Sequence, residues 1–243
     1  MSDPVYVIGD VHGHLSQVER ALALIEADGG PEAKVIFLGD LVDRGPDSRR
    51  VLELLMAEQA AGRPWTVLKG NHDDMLVDYL ANGTEFDHRI SIELSWLDPR
   101  LGGASTLASY GMTGLERRTF THIWEEARER VPQAHREYLA GLPLTEERDD
   151  VLFVHAGIRP GVDLAEQHVD DLMWIRKPFL DDPRDHPWLV VHGHTALDEP
   201  THFGNRVDLD GGAGYGRTLH PVVFEGRESW LLTPTGRKPL ARG

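Results

Sequence analysis

A chain of 243 residues with 40% apolar side chains is long enough to bury a sizeable core, and we read 1–243 as one domain. Its formal charge of −15 argues against broad binding to nucleic acid, which needs a basic surface that displaces counterions. With no cysteine there can be no disulfide, no thiolate ligand and no thiolate nucleophile, so any metal site must be built from oxygen and nitrogen.

The start MSDPVYVIGD lacks a charged n-region followed by an apolar h-region. No apolar run approaches the roughly 20 residues that span a bilayer, so the expected location is cytoplasmic. In chain order, VYVIG (5–9), KVIFLG (34–39) and WTVLKG (65–70) are short apolar runs that end in glycine. Between them, Leu15 to Ala27 and Ser48 to Ala60 read as amphipathic helices, the second with Val51, Leu54 and Leu55 on one face. Strand alternating with helix implies crossover units and a largely parallel sheet.

After Leu80 the pattern changes. Residues 82–150 are polar, mostly helical and interrupted by Gly102-Gly103, Gly111, Gly114 and Pro132, which reads as a cap insertion. The later runs VLFVHA (151–156), WLVVHG (188–193), RVDLD (206–210), HPVVFE (220–225) and SWLLTP (229–234) read as strands of a second sheet. The expected fold is mixed α/β, with two mixed β-sheets packed as a sandwich flanked by helices. The tail TGRKPLARG (235–243) is expected to fray.

Five blocks carry chemistry: GDVHG (9–13), GDLVDRG (39–45), GNHD (70–73), HAG (155–157) and GHT (193–195). The first three lie beyond the carboxyl ends of strands, where ligands bind in open α/β sheets. Asp10 and His12 are two residues apart, so extended geometry would send both side chains from one face. Asp40 follows the second strand, and its two oxygens could bridge neighbouring ions. Asn71 offers a neutral amide oxygen, and His155 and His194 follow strands of the second half. We therefore assign Asp10, His12 and Asp40 to one metal and Asp40, Asn71, His155 and His194 to a second. Imidazole, carboxylate and amide together suit Mn, Fe or Zn better than Ca or Mg, with Mn expected first.

Taken singly, each block has a plain reading as a turn with incidental polar residues. His192 competes with His194 as the ligand. His14 would begin a helix as a surface or capping residue. Trp96 and Tyr110, near GGASTLASYG (102–111), read as small-core residues of the cap, with a substrate contact as the alternative.

The order and content of the five blocks resemble the metallophosphoesterases of the phosphoprotein phosphatase type. That superfamily includes phage and bacterial serine/threonine phosphatases and symmetrical diadenosine tetraphosphatases. The resemblance implies a proton donor in His72, an orienting partner in Asp43 and a phosphate clamp in Arg44. WIR (174–176) resembles the family's second clamp, so Arg176 would face Arg44 across the phosphate, and the GH pair favours His194 over His192. The implied chemistry is in-line attack on phosphorus by a hydroxide held between two divalent ions, without a covalent enzyme intermediate. The arginines would stabilise charge on the equatorial oxygens, and His72 would protonate the leaving oxygen.

Asp43, the short segment between HAG and GHT, and WIR together resemble bacterial protein phosphatases. Hydrolysis of phosphoserine and phosphothreonine monoesters is therefore the expected function, and symmetrical diadenosine tetraphosphate hydrolysis is the alternative. A non-catalytic scaffold of the same fold is the alternative of a different class, although a scaffold has no need of six ligands with His72, Asp43 and Arg44. The expected partner is a phosphorylated protein or small phosphoester, with neither nucleic acid nor membrane. Nothing in the sequence sets the oligomeric state.

Overall fold

Three apolar runs that end in glycine become three parallel strands. In the computed structural model, described over residues 3–91 and 93–243, β1 (Val5–Ile8), β2 (Lys34–Phe37) and β3 (Trp65–Val67) lie side by side. Helices α1 (Leu15–Gly29) and α2 (Ser48–Ala60) make the crossovers, and α3 (Asn71–Asn82) follows β3. Next come α4 (Gly103–Ser109), α5 (Phe120–Arg130), α6 (Gln133–Ala140) and the strand β4 (Thr145–Arg148). The second half holds β5 (Val151–Val154), α7 (Val169–Trp174), β6 (Leu189–His192), β7 (Thr201–His202) and β8 (Arg206–Asp208). It continues with β9 (Val222–Glu225), β10 (Glu228–Thr233), β11 (Gly236–Pro239) and β12 (Ala241–Arg242).

These strands form two six-stranded sheets, in the orders β11-β10-β9-β1-β2-β3 and β12-β7-β8-β6-β5-β4. Both are mixed, as expected: β9 runs antiparallel to β1, and β4 and β7 run antiparallel to the parallel set β5, β6 and β8. Because side chains alternate along a strand, Val5 and Val7 of β1 enter the layer between the sheets with Ile36, Phe153, Val191, Val207 and Phe224. Tyr6 and Ile8 face the other way, into the helical layer. Burial on both faces explains why β1 reads as a continuous apolar run rather than an alternating one.

The 82–150 segment does contain helices, but Trp96, Leu107, Tyr110, Ile123 and Leu139 share one buried cluster with Val18, Leu52 and Leu76. It completes the outer helical layer rather than standing off as a separate lobe. Its last residues depart from the helical expectation, since TEER forms β4 on a sheet edge, where charged side chains meet water and no apolar alternation is needed. The tail also corrects its expectation. β11 pairs with β10 of one sheet, Leu240 is 8% exposed in the inter-sheet core, and β12 pairs with β7 of the other. Among the described residues no helix is long and apolar enough to cross a membrane.

Candidate metal centre

The backbone at the motif blocks is unusual. Among the described residues, six non-glycine positions have positive φ, and five lie in the blocks: His12 (48°), Asp40 (50°), Asp43 (72°), Arg44 (65°) and His194 (66°). Side chains with a Cβ rarely adopt this region, and they hold it where the surroundings fix them. Since β1 ends at Ile8, Asp10 and His12 do not leave an extended strand as the spacing suggested. They sit in a turn whose amides reach the next loop: His12 N–H donates to the Asp40 carbonyl at 2.7 Å and Gly13 N–H to that of Leu41 at 2.9 Å.

The loop after β2 is tied in turn to the start of α3. A Cβ on Gly39, where φ is 99°, would lie 2.4 Å from the Gly70 nitrogen, so only glycine permits this approach. Asp73, to which the sequence reading gave no role, accepts from the Gly70 and Leu41 amides at 2.9 Å each. Its place three residues after Gly70 was the available signal, because an acidic residue there can reach back to the helix start. His72 N–H, in the first turn of α3, donates to Asp40 Oδ1 at 2.9 Å.

Two ligand groups result: His12, Asp40 and His72, and Asp40, His155 and His194, with ligand atoms within 4.8 Å of one another in each. Asp40 belongs to both, as a bridging carboxylate must. The Nδ1 atoms of His12 and His155 each lie 2.9 Å from a main-chain carbonyl, of Val42 and Leu38 respectively. Such a bond fixes the tautomer and turns an unprotonated Nε2 inward. His155 Nε2 then meets the Asn71 Oδ1 at 2.9 Å, lone pair to lone pair, and His194 Nε2 is buried without any hydrogen-bond partner. Both arrangements fit a cation.

Asp10 lies beside these groups rather than within them. Its carboxylate accepts from the His194 amide at 3.1 and 3.2 Å. Burial, followed by repulsion from Asp210 and Asp40, raises the Asp10 carboxyl well above its ordinary range, and burial pushes Asp210 up to about 6. The protein's own charges therefore do not neutralise the cluster, whereas divalent ions would. Asp210 was missed in the sequence although, like Asp10 and Asp40, it closes an apolar run. His192 is buried outside both groups, with Nε2 3.3 Å from Arg206, so His194 is the histidine that joins the cluster. His14 stands at the N-cap of α1 but makes no capping bond with its side chain.

From within the first group, His72 Nδ1 donates to Asp43 Oδ2 at 2.7 Å. Arg44 spans His12 and His72, with guanidinium nitrogens 2.6 and 3.2 Å from their Nε2 atoms, and it lies 4.7 Å from the centre of the Tyr215 ring. Arg176 is exposed and reaches the His194 carbonyl at 3.4 Å. Arg44 thus contacts side chains of the first group, and Arg176 the main chain of His194 in the second.

A model of the calcineurin-like phosphoesterase family matches residues 3–215. The chain belongs to that family. As a calcineurin-like phosphoesterase it is a metal-dependent phosphoesterase, and the two overlapping groups fit a pair of divalent ions. It is similar to the asymmetrical bis(5'-nucleosyl)-tetraphosphatase PrpE of Oceanobacillus iheyensis, 25% identical over 260 residues that cover 96% of this chain and 93% of that one. The protein of the same name from Bacillus anthracis is 25% identical over 234 residues, covering 92% and 91%. Among solved structures, a protein provisionally described as a diadenosine tetraphosphatase superposes with a TM-score of 0.64 at 22% identity, covering 96% of each chain. A cold-active protein-tyrosine phosphatase from a psychrophilic Shewanella superposes at 0.61 with 17% identity, covering 99% of this chain and 81% of that one. At such identities the structures share the fold alone.

These relatives overturn the serine/threonine phosphatase expectation, because the near full-length sequence matches carry tetraphosphatase names. They favour the tetraphosphate alternative, and the relatives' names say asymmetrical where that alternative said symmetrical. The physical reason is that the roles the resemblance implies for Asp43, Arg44 and WIR all concern the phosphoryl group under attack. That group is common to both substrate classes, so these features could not tell them apart.

Proposed function

We propose that this phosphoesterase hydrolyses dinucleoside tetraphosphates asymmetrically, releasing two nucleotides with unequal numbers of phosphates. The observation that carries the reading is the pair of ligand groups sharing Asp40, with His72 of the first group paired to Asp43, in a chain that matches named tetraphosphatases over more than nine-tenths of its length. His12, Asp40, Asn71, His155 and His194, with Asp10 beside them, would hold two divalent ions, for which Mn is our first choice over Fe or Zn. When bound, the ions lower the pKa of water and supply the nucleophile.

The other steps belong to side chains. Arg44 shifts from His12 and His72 to the phosphate oxygens, where its planar fork matches the anion, and Arg176 meets them from the His194 end. The departure of Arg44 frees His72 Nε2 to take up a proton from water and pass it to the leaving oxygen, while Asp43 holds the Nδ1–H. We place this chemistry in a single cytoplasmic domain, 1–243, with residues 82–150 as its insertion.

The test is incubation of the Mn²⁺-loaded enzyme with diadenosine tetraphosphate, resolving the products by ion-exchange chromatography, with phosphoserine peptides alongside. ATP and AMP in equal amounts are expected. ADP alone would make cleavage symmetrical, and inactivity on every substrate with metal bound would overturn the enzyme reading in favour of a scaffold.

A further inference from the structure

The insertion grips the proton-donating pair. Asp43 Oδ2 accepts from Trp96 Nε1 at 2.8 Å in addition to His72 Nδ1, and Oδ1 accepts from the Thr106 hydroxyl at 2.7 Å. The Asp43 amide donates back to Thr106 Oγ1 at 2.8 Å. Asp43, Thr106 and Trp96 are all buried, so these bonds have no water to replace them. Gly102 makes the approach possible: its carbonyl accepts from the Arg44 amide at 3.3 Å, and a Cβ there would stand 2.2 Å from the Arg44 nitrogen.

We infer that Thr106 and Trp96 are positioning residues for the reaction, holding the Asp43 carboxylate in the one orientation that presents Oδ2 to His72. Resting on the proposed role of His72, the inference goes beyond it by giving the 82–150 insertion a chemical duty. Hydrogen bonds to an ionised acceptor are stronger than neutral ones, and here they engage both oxygens of Asp43 beside the bond to His72. Without the Thr106 hydroxyl, Asp43 can rotate and keep its charge near His72 while losing the alignment of Nδ1. The side-chain hydrogen bonds of Thr106 and Trp96 go to Asp43 and Ser48 and to none of the groups proposed to hold metal or phosphate, so the loss falls on turnover.

The experiment compares phenyl phosphate with p-nitrophenyl phosphate, two monoesters that differ in how much the leaving oxygen needs a proton. Wild type, His72→Asn, Thr106→Val, Thr106→Ser and Trp96→Phe are each assayed with bound Mn²⁺ quantified. Thr106→Val is expected to lose about tenfold in kcat on phenyl phosphate, at least threefold less on p-nitrophenyl phosphate, with KM and metal content held, and Thr106→Ser to restore the wild-type ratio. Trp96→Phe, which keeps a ring but removes the N–H, is expected to shift the ratio the same way. If His72→Asn discriminates between the two esters while Thr106→Val and Trp96→Phe lose equally on both, or lose nothing, the positioning inference alone is overturned. If His72→Asn does not discriminate, the acid reading and this inference fall together.

Discussion

Asp43 Oδ2 and His72 Nδ1 stand 2.7 Å apart, from residues 29 positions apart in the chain, and both side chains are almost wholly withdrawn from solvent. An interaction made in that setting is not screened by water, and its geometry is set by the loops that carry the two residues. Replacing Asp43 with Asn keeps the shape but weakens the hold on the imidazole. We expect Asp43→Asn to lower kcat on phenyl phosphate by about 10²-fold, within the range general acid catalysis supplies, with bound metal unchanged. Steady-state kinetics with parallel metal analysis checks this, and loss of metal would place Asp43 among the ligands instead.

Asp40 is shared by both ligand groups, so its removal should act on both ions. A ligand that binds only the folded chain stabilises it, by about 2.7 kcal/mol per site at a hundredfold excess over Kd. Wild-type Tm should therefore climb as Mn²⁺ is titrated, and Asp40→Asn should show a flat curve and less than one ion per chain by atomic absorption. A variant that keeps two ions would show that Asp40 does not bridge.

Leu240 lies between two edge strands of the tail and reaches the core between the sheets. Truncating a buried leucine removes its transfer energy and leaves a cavity. We expect Leu240→Ala to cost about 2–3 kcal/mol, the lower part of the usual range because the site is close to an edge. Urea unfolding measures it, and a change below about 0.5 kcal/mol would return the tail to the frayed state expected from sequence.

The same tail is joined to α1 by ions. Arg237 donates to Asp28 at 2.7 Å and Tyr6 donates to it at 2.8 Å, and the Arg237 bond, ahead of the other causes, holds the Asp28 carboxyl below its ordinary value. A carboxyl lowered in the folded state adds stability that is complete above its unfolded pKa and is lost as pH falls through its folded one. The Tm gap between wild type and Asp28→Asn should therefore be widest near neutral pH and close as pH is taken toward about 3. A gap that stays constant down to that pH would mean that the contact acts through shape rather than charge.

Much of the site could be read from sequence because each block is local. His12, Asp40 and His194 each lie next to a glycine and within four residues of the end of an apolar strand, so chain order alone places them at one end of the sheets. Thr106 and Trp96 could not be read that way. They meet Asp43 across 63 and 53 residues, and neither lies in a pattern that implies a carboxylate partner. β4 and β11 were missed for another reason: edge strands of charged residues carry no apolar alternation, and backbone pairing decides their form. Substrate class was misread because the motifs describe the phosphate being attacked and are silent on what departs.

The grip of the insertion on Asp43 also fixes how the site can be entered. A segment fastened through Thr106 and Trp96 to the buried carboxylate cannot swing aside between turnovers without dismantling the partner of His72. Exposure is found elsewhere: Arg176 faces solvent, and the Tyr215 ring stands 63% exposed beside Arg44. The 82–150 segment is therefore a wall of the site and not a lid over it.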